Sequence, residues 1–224
     1  MIIGMVGFIG SGKDTAADYL VQTHGFERDS FATSLKDAVS TVFGWPRDML
    51  EGLTPQARHW REQVDAWWSA RLNIPNLTPR WILQHWGTDV LRNNFHDDIW
   101  IASFENRMRQ SQRHVVISDV RFPNEIKAIR RLGGMCIWIQ RGVLPEWYQC
   151  ALRENTTPYD QQWILEDHSK LMPQKYPLVH QSEWAWIGQE FDAEVDNNGT
   201  MQHLYQQIKN LVLDRLDARV DLAA

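Results

Sequence analysis

Short apolar runs alternate with longer amphipathic stretches along much of the chain. Residues 1–6, 114–119 and 135–140 are apolar and rich in β-branched side chains, which is typical of buried strands. Apolar residues at helical spacing occupy 13–23 and recur over 33–43. Strands separated by helices predict an α/β fold with a central parallel sheet and a site at the carboxyl ends of its strands.

Other segments carry weaker signals. We expect a strand within 26–32, a helix over 55–72, a helix that begins at Pro79 with Thr78 as its N-cap, a helix over 123–132, a weak strand at 194–195 and a closing helix over 201–216. Residues 44–79 and 142–180 lie outside the alternation of strands and helices. They are therefore candidates for substrate-binding and lid insertions.

A glycine-rich turn of the form G-x-x-x-x-G-K joins the first strand to the first helix. It contains Gly7, Gly10, Ser11, Gly12 and Lys13, followed by Asp14 and Thr15. In this context backbone N–H groups and the helix N-terminus converge on phosphate oxygens, and the lysine reaches further along the polyphosphate. The pattern asks for Ser or Thr directly after the lysine, where this chain has Asp14. A turn that binds nothing would not explain the lysine, so the sequence predicts a nucleotide phosphate site.

Composition narrows the class of protein. The chain has 224 residues, 43% of them hydrophobic, and a net charge of −5. An acidic chain without a basic stripe argues against nucleic acid or an anionic membrane as its main partner. Two cysteines give no disulfide framework, the eight histidines fall at no metal-ligand spacing, and no apolar run approaches the length of a membrane span.

Acidic and basic side chains follow the strand predicted at 114–119. Asp119 stands at the end of this strand, where it could hold a magnesium-bound water or orient a phosphate acceptor. Alternatively, Asp119 merely caps the helix that opens near Pro123, and the two roles are compatible. Arg121 lies beside it and could contact a phosphate.

A second polar group lies on the helix that starts at Pro79. Arg80, Gln84 and Thr88 are four residues apart, so α-helical geometry would put them on one face. They could contact a phosphate and a base, or they could form an ordinary solvated face. Gly87 is unfavourable inside a helix, by about 1 kcal/mol relative to alanine, which indicates a close approach or a local break.

The chain contains twelve tryptophans, and several crowd one region. These are Trp67, Trp68, Trp81, Trp86 and Trp100. Aromatic rings can stack on nucleobases, but core and interface packing is expected for most of them.

Taken together, several short motifs resemble the phage deoxynucleoside monophosphate kinases, which belong to the P-loop nucleoside monophosphate kinase superfamily. The motifs are Ser11-Gly12-Lys13-Asp14-Thr15, Leu83-Gln84-x-x-Gly87-Thr88-Asp89-x-x-Arg92, Trp100, the run from Asp119 to Glu125, Arg131-Leu132-Gly133-Gly134, His180-x-Ser182-Glu183 and Asp196-Asn197-x-Gly199-Thr200. The resemblance spans about residues 3–212.

The resemblance implies ATP-dependent phosphorylation of a deoxynucleoside monophosphate to its diphosphate, with Mg²⁺, in a three-layer P-loop kinase fold with a mobile lid. One domain is expected over 1–224, with a helical acceptor-binding region at 44–112 and a lid insertion at 142–180. Residues implied to bind ATP are Gly7, Gly10, Ser11, Gly12, Lys13, Asp14, Thr15 and, near the adenine, Asn197. Residues implied to bind the acceptor are Lys36, Arg80, Gln84, Thr88, Asp89, Arg92 and Trp100. Catalytic roles fall to Lys13, Asp119, Arg121 and Arg141, and the magnesium ligands would be Thr15 and Asp119.

Other functions stay open at this point. The chain could phosphorylate another small molecule, such as an acceptor like dephospho-coenzyme A, or it could be a nucleotide-binding regulatory module with little turnover. We expect small-molecule partners, no nucleic acid and no membrane. The resemblance favours a homodimer. Two cysteines without a disulfide framework are typical of a reducing cytosol, so we expect a cytoplasmic location, which would be the host cytoplasm for a phage-encoded chain.

Overall fold

The computed structural model describes residues 1–111, 113–157 and 171–221, with side chains up to Leu213. The chain divides into two compact units. Unit 1 comprises Met1–Asp29 and Arg113–Ala224, and unit 2 comprises Ser30–Gln112.

Five parallel strands form the sheet of unit 1. They are β1 (Ile2–Val6), β2 (Glu27–Arg28), β3 (Val115–Ile117), β4 (Met135–Gln140) and β5 (Ala193–Asp196). The strand order is β2-β3-β1-β4-β5, so β1 is central. In this register Ile3 lies opposite Val116 on one side and Met135 on the other. Only two residues of the strand expected within 26–32 join the sheet, and the chain enters unit 2 at Ser30.

The described residues contain eleven α-helices and two short helices of other types. The α-helices are α1 (Lys13–His24), α2 (Thr33–Phe43), α3 (Arg47–Glu51), α4 (Pro55–Arg61), α5 (Ala66–Leu72), α6 (Pro79–Gln84), α7 (Ile99–Arg109), α8 (Pro123–Arg131), α9 (Tyr148–Thr156), α10 (Leu171–Lys175) and α11 (Met201–Asp221). A π-helix follows α6 over His85–Arg92, and a 3₁₀ helix covers Gln181–Glu183. None of the helices in the described part of the chain is long and apolar enough to cross a membrane.

Helices cover both faces of the sheet in unit 1. Side chains alternate between the faces along a strand, so Ile3 and Met5 point to one side and Gly4 to the other. Helices α1 and α11 pack on the first side, in a core that includes Ile3, Met5, Leu20, Val116, Ile137, Ile139, Leu204 and Ile208. Helix α8 packs on the other side, where a Cβ at Gly4 would lie 2.5 Å from Ile129 Cδ1. The prediction of a three-layer α/β fold with a central parallel sheet is therefore confirmed.

Unit 2 is built from helices α2 to α7 and the π-helix. Its core consists of Leu35, Val39, Phe43, Trp45, Leu50, Leu77, Ile82 and Trp100. The Phe43 ring stacks on Trp45 at 4.5 Å between centroids, and Trp68 and Trp86 meet its edges. These tryptophans therefore pack the interior of the unit, as expected for most of them.

The helix expected over 55–72 is interrupted, and this expectation was wrong. Helix α4 ends at Arg61, and α5 starts afresh after Asp65, whose carboxylate accepts the N–H of Trp68 at 3.0 Å. A side chain that caps a new N-terminus ends any continuous helix at that point. The start of α6 agrees with the sequence, because Thr78 Oγ1 accepts the N–H of Trp81 at 3.1 Å and Pro79 follows it.

Gly87 lies where the α-helix gives way to a π-helix and where the backbone comes close to Leu35. It lies in the π-helix, where hydrogen bonds span five residues instead of four. The expected α-helical spacing therefore holds for Arg80 and Gln84 but does not extend to Thr88. A Cβ at Gly87 would lie 2.8 Å from Leu35 Cδ2, so a larger residue would fit against α2 only if the Leu35 side chain moved.

Candidate active site

The glycine-rich turn occupies the gap between the end of β1 and the start of α1. Gly12 is the N-cap of α1 with φ +99°, a conformation that side chains rarely adopt. A Cβ there would lie 2.2 Å from the Asn197 amide nitrogen. This amide donates to the Ser11 carbonyl at 2.8 Å, so Asn197, which follows β5, fixes the loop.

Lys13 is held inside the turn. Its ammonium donates to the carbonyls of Gly7 at 2.8 Å and Phe8 at 2.7 Å. Burial, reinforced by the positive charge of Arg121, lowers the Lys13 pKa to about 8. Burial is the larger cause, and the second cause shows that the charges of Lys13 and Arg121 act on each other, as they would at a site that stabilises an anion.

The Ser11 side chain gives a second indication of an anion-binding site. Ser11 is 2% exposed, and its hydroxyl has no hydrogen-bond partner among the described residues. Buried hydroxyls are normally satisfied, so an unpaired one at the mouth of a phosphate loop points to a ligand oxygen. Thr15 is half-buried in the first turn of α1.

The Asp14 side chain binds two residues of unit 1. Its carboxylate accepts from Ser118 Oγ at 2.8 Å and from Arg28 at 3.0 Å, and Arg28 also binds Asp18 at 2.9 Å. Burial raises the pKa of Asp14, but these hydrogen bonds outweigh that effect and the pKa falls below its ordinary value. Asp14 therefore stays ionised and links α1 to the end of β3. Neither Ser118 nor Arg28 was predicted as a site residue from the sequence.

Asp119 and Arg121 follow β3 and precede α8. The side chain of Glu125 caps this helix, because it accepts the N–H groups of Arg121 at 2.8 Å and Phe122 at 3.1 Å. The charge of Asp119 acts on Lys13 and raises its pKa, which shows that the two groups are neighbours. Asp119 is therefore placed near the phosphate loop, and its role there remains a prediction.

Glu183 is a site residue that sequence reasoning missed. Its carboxylate accepts from the Arg121 guanidinium at 2.5 Å, and its charge also raises the Lys13 pKa. The 3₁₀ helix that carries Glu183 begins at His180, whose ring accepts the N–H of Ser182. The signal that could have found Glu183 was the motif His180-x-Ser182-Glu183.

The expected lid falls partly outside the described residues, since 158–170 are not among them. Arg141 comes directly after β4 and is exposed, and within the described ranges it forms no ion pair. The start of the lid region contacts the phosphate loop through aromatic rings. Phe8 meets Trp147 at 5.5 Å and Trp186 at 4.9 Å between ring centroids.

The charged residues implied to bind an acceptor lie in unit 2. Lys36 has 11% of its side chain exposed and pairs with Glu51 at 2.5 Å. Arg80 pairs with Glu62 at 3.3 Å near the surface, and Arg92 is half-buried at the end of the π-helix.

The remaining acceptor candidates differ in exposure. Gln84, Thr88 and Asp89 are exposed, with Asp89 Oδ2 2.9 Å from the ring of His85. Trp100 is only 7% exposed, and its indole N–H donates to the Gly87 carbonyl at 2.9 Å. Trp100 therefore supports the π-helix from inside the unit.

A parallel sheet of order β2-β3-β1-β4-β5, with a lysine-bearing phosphate loop after its central strand, is the architecture of P-loop nucleotide-binding proteins. The family model described as Deoxynucleotide monophosphate kinase matches residues 59–146. A protein of Acanthamoeba polyphaga mimivirus that carries the provisional name deoxynucleotide monophosphate kinase is 37% identical over 153 residues, which cover 63% of this chain and 74% of the relative. The chain belongs to the deoxynucleotide monophosphate kinase family.

Solved structures resemble the chain only distantly. Shikimate kinase from Aquifex aeolicus has a TM-score of 0.42 and 12% identity, and covers 96% of this chain and 98% of its own. A gluconokinase from Sinorhizobium meliloti has a TM-score of 0.40 and 15% identity, with 99% and 96% covered. Because both scores are below 0.5, the fold is assigned from the sheet order of this chain.

Proposed function

We propose that this protein transfers the γ-phosphoryl group of ATP to a deoxynucleoside monophosphate, giving ADP and the deoxynucleoside diphosphate. The observation that carries the donor side is Lys13, pinned inside the phosphate loop beside Arg121 and the unpaired hydroxyl of Ser11. The family supplies the class of acceptor. The diphosphates would serve as precursors for DNA replication, that of a phage if the chain is phage-encoded.

In this proposal the ATP site contains Mg²⁺ in addition to the phosphate loop. Thr15 and Asp119 provide a hydroxyl and a carboxylate, the hard oxygen donors that suit Mg²⁺, which usually binds to one or two protein groups together with substrate phosphates. Asp119 is close enough to Lys13 for its charge to raise the lysine pKa, so its carboxylate belongs to the same site. Bound magnesium would neutralise charge on the phosphates.

In phosphoryl transfer, the protein contributes mainly by positioning the substrates and stabilising the charge on the transferred group. In this proposal Lys13 and the loop N–H groups hold the ATP phosphates, and Asn197 keeps the loop in shape through its bond to Ser11. Arg121, oriented by Glu183, neutralises charge on the group in transfer. Arg141 is free to join it, since it is exposed beyond the end of β4.

Unit 2 supplies the acceptor side in this proposal. Lys36, Arg80 and Arg92 provide positive charge, and Gln84, Thr88 and Asp89 provide exposed polar groups for the sugar and base. Trp100 acts through Gly87, because it holds the π-helix that carries Thr88 and Asp89.

The test is ADP formation from ATP and Mg²⁺ with each deoxynucleoside and ribonucleoside monophosphate in turn, with a control that lacks any acceptor. Release that depends on particular deoxynucleotides supports the proposal. Release without an acceptor would instead indicate an ATPase, and ATP binding without release would indicate another acceptor or a regulatory module. Lys13→Ala should lower turnover by about 10²–10³. The matched variant Lys127→Ala changes an exposed lysine on α8 and should be neutral.

A further inference from the structure

Three arginines of unit 2, Arg58, Arg61 and Arg80, form what we call the arginine cluster. Arg58 and Arg61 lie at Gly52, and the charge of Arg80 acts on Arg61. Arg58 donates to the carbonyls of Gly52 and Leu53, both at 3.4 Å. The Arg61 guanidinium lies against Gly52 so closely that a Cβ there would be 2.2 Å from its central carbon. None of these residues except Arg80 was singled out from the sequence.

Within the described ranges, the arginines of the cluster have fewer carboxylate partners than positive charges. Arg80 pairs with Glu62, but neither Arg58 nor Arg61 has a carboxylate within ion-pair distance among the described residues. The next carboxylate, Glu51, is occupied by Lys36 and Arg47. Carbonyl oxygens at 3.4 Å or more are weak substitutes for a full negative charge.

Arg61 is the most strained electrostatically of the three. Its Nε is buried and has no hydrogen-bond partner in the described part of the chain. Burial, followed by the nearby charge of Arg80, lowers the Arg61 pKa. A half-buried guanidinium with an unpaired N–H and like-charged neighbours is costly unless an anion binds there.

We propose that the arginine cluster binds the phosphate monoester of the deoxynucleoside monophosphate acceptor, with Arg61 as its principal ligand. The inference rests on the proposed function, because that function requires a second phosphate site besides the ATP loop of unit 1. A guanidinium fork binds phosphate in two parallel hydrogen bonds, and several arginines together offset its nearly double negative charge. Glu51 links this cluster to Lys36, since its charge acts on Arg61 while its carboxylate holds Lys36.

The first test uses the unaltered protein. Phenylglyoxal modifies accessible guanidinium groups, and peptide mass mapping measures the rate at each arginine. A deoxynucleoside monophosphate should slow the modification of Arg61 at least about tenfold, and the corresponding deoxynucleoside should not. Arg71, exposed on the neighbouring helix α5, is the internal control and should react at one rate throughout. Inorganic phosphate and ATP are separate arms of the experiment.

The second test is a pair of matched variants. Arg61→Gln should lower the affinity for the deoxynucleoside monophosphate about tenfold to a hundredfold and leave ATP affinity unchanged, whereas Arg71→Gln should bind both as before. If Arg61→Gln fails to fold, the protection experiment decides alone.

The outcomes separate this proposal from the kinase proposal. Normal acceptor-dependent turnover without protection of Arg61 would overturn the phosphate site and leave the kinase standing. Protection of Arg61 without transfer to any deoxynucleotide would support the phosphate site and overturn the proposed reaction. Protection by ATP as strong as that by the monophosphate would show that the cluster does not belong to the acceptor.

Discussion

Raising the pH from 7 to 9 should weaken ATP binding about tenfold, because Lys13 loses its charge in the free protein over this range. Burial and the charge of Arg121 lower the Lys13 pKa to about 8. A lysine with this pKa is about nine-tenths protonated at pH 7 and about one-tenth protonated at pH 9. If only the charged form binds the polyphosphate well, the apparent dissociation constant rises in proportion to the lost fraction.

The sign of the proton exchange gives a second readout. Bound ATP favours the charged ammonium, so the Lys13 pKa rises in the complex and a proton is taken up on binding. Uptake should approach about one proton at pH 9 and nearly vanish at pH 7. A phosphate group with a pKa of about 6 is about nine-tenths deprotonated at pH 7 and almost fully deprotonated at pH 9, so the uptake near pH 9 reports Lys13. Calorimetric titrations in two buffers of different ionisation enthalpy measure the uptake directly.

Two variants isolate Lys13 as the titrating group. Lys13→Arg keeps its charge at every pH used, so its ATP affinity should be lower overall but flat between pH 7 and 9. Glu183→Gln removes a negative charge that raises the Lys13 pKa, so the midpoint should move to lower pH. An unaltered protein whose ATP affinity stays constant from pH 7 to 9 would refute the reasoning.

Three further substitutions each test one contact within a unit: a close packing, a hydrogen bond to the loop and a helix cap. Gly87→Ala would place a Cβ 2.8 Å from Leu35 Cδ2, and should cost about 1–3 kcal/mol of folding free energy, measured as a lower midpoint in urea. Asn197→Ala removes the donor to the Ser11 carbonyl and should weaken ATP binding several-fold, by about 1 kcal/mol; an unchanged affinity would mean that the loop keeps its shape alone. Asp65→Ala removes a helix cap that also accepts an indole N–H, and should lower stability by about 1–2 kcal/mol without changing ATP affinity.

Local patterns in the sequence were enough where one segment determines its own structure. The apolar positions that share one face predict a helix over 33–43, and α2 has these bounds. In the structure Gly44 adopts the left-handed conformation that ends it. The turn from β1 into α1 is similarly local, since its glycines and Lys13 act through backbone within about ten residues.

Other features depend on partners that are distant in sequence. At the π-helix, Gly87 lies close to Leu35 and its carbonyl accepts the Trp100 indole N–H. Neither contact can be predicted from the periodicity of residues 79–92. Arg61 likewise looks like any surface arginine of an amphipathic helix. Its unpaired N–H is visible only once Gly52 is seen beside it.

The charge state of the phosphate loop depends on residues outside its own motif. Because β1 is the central strand, the segments after β3, β4 and β5 all end near its carboxyl edge, and they bring residues far away in sequence to the loop. Asn197 stands 186 residues from Ser11, and Glu183 stands 62 residues from Arg121. The glycines fix the shape of the loop, but Arg121, Glu183 and burial set the charge on Lys13. The pH dependence of ATP binding is therefore a property of the assembled sheet, and the same loop motif in another chain need not share it.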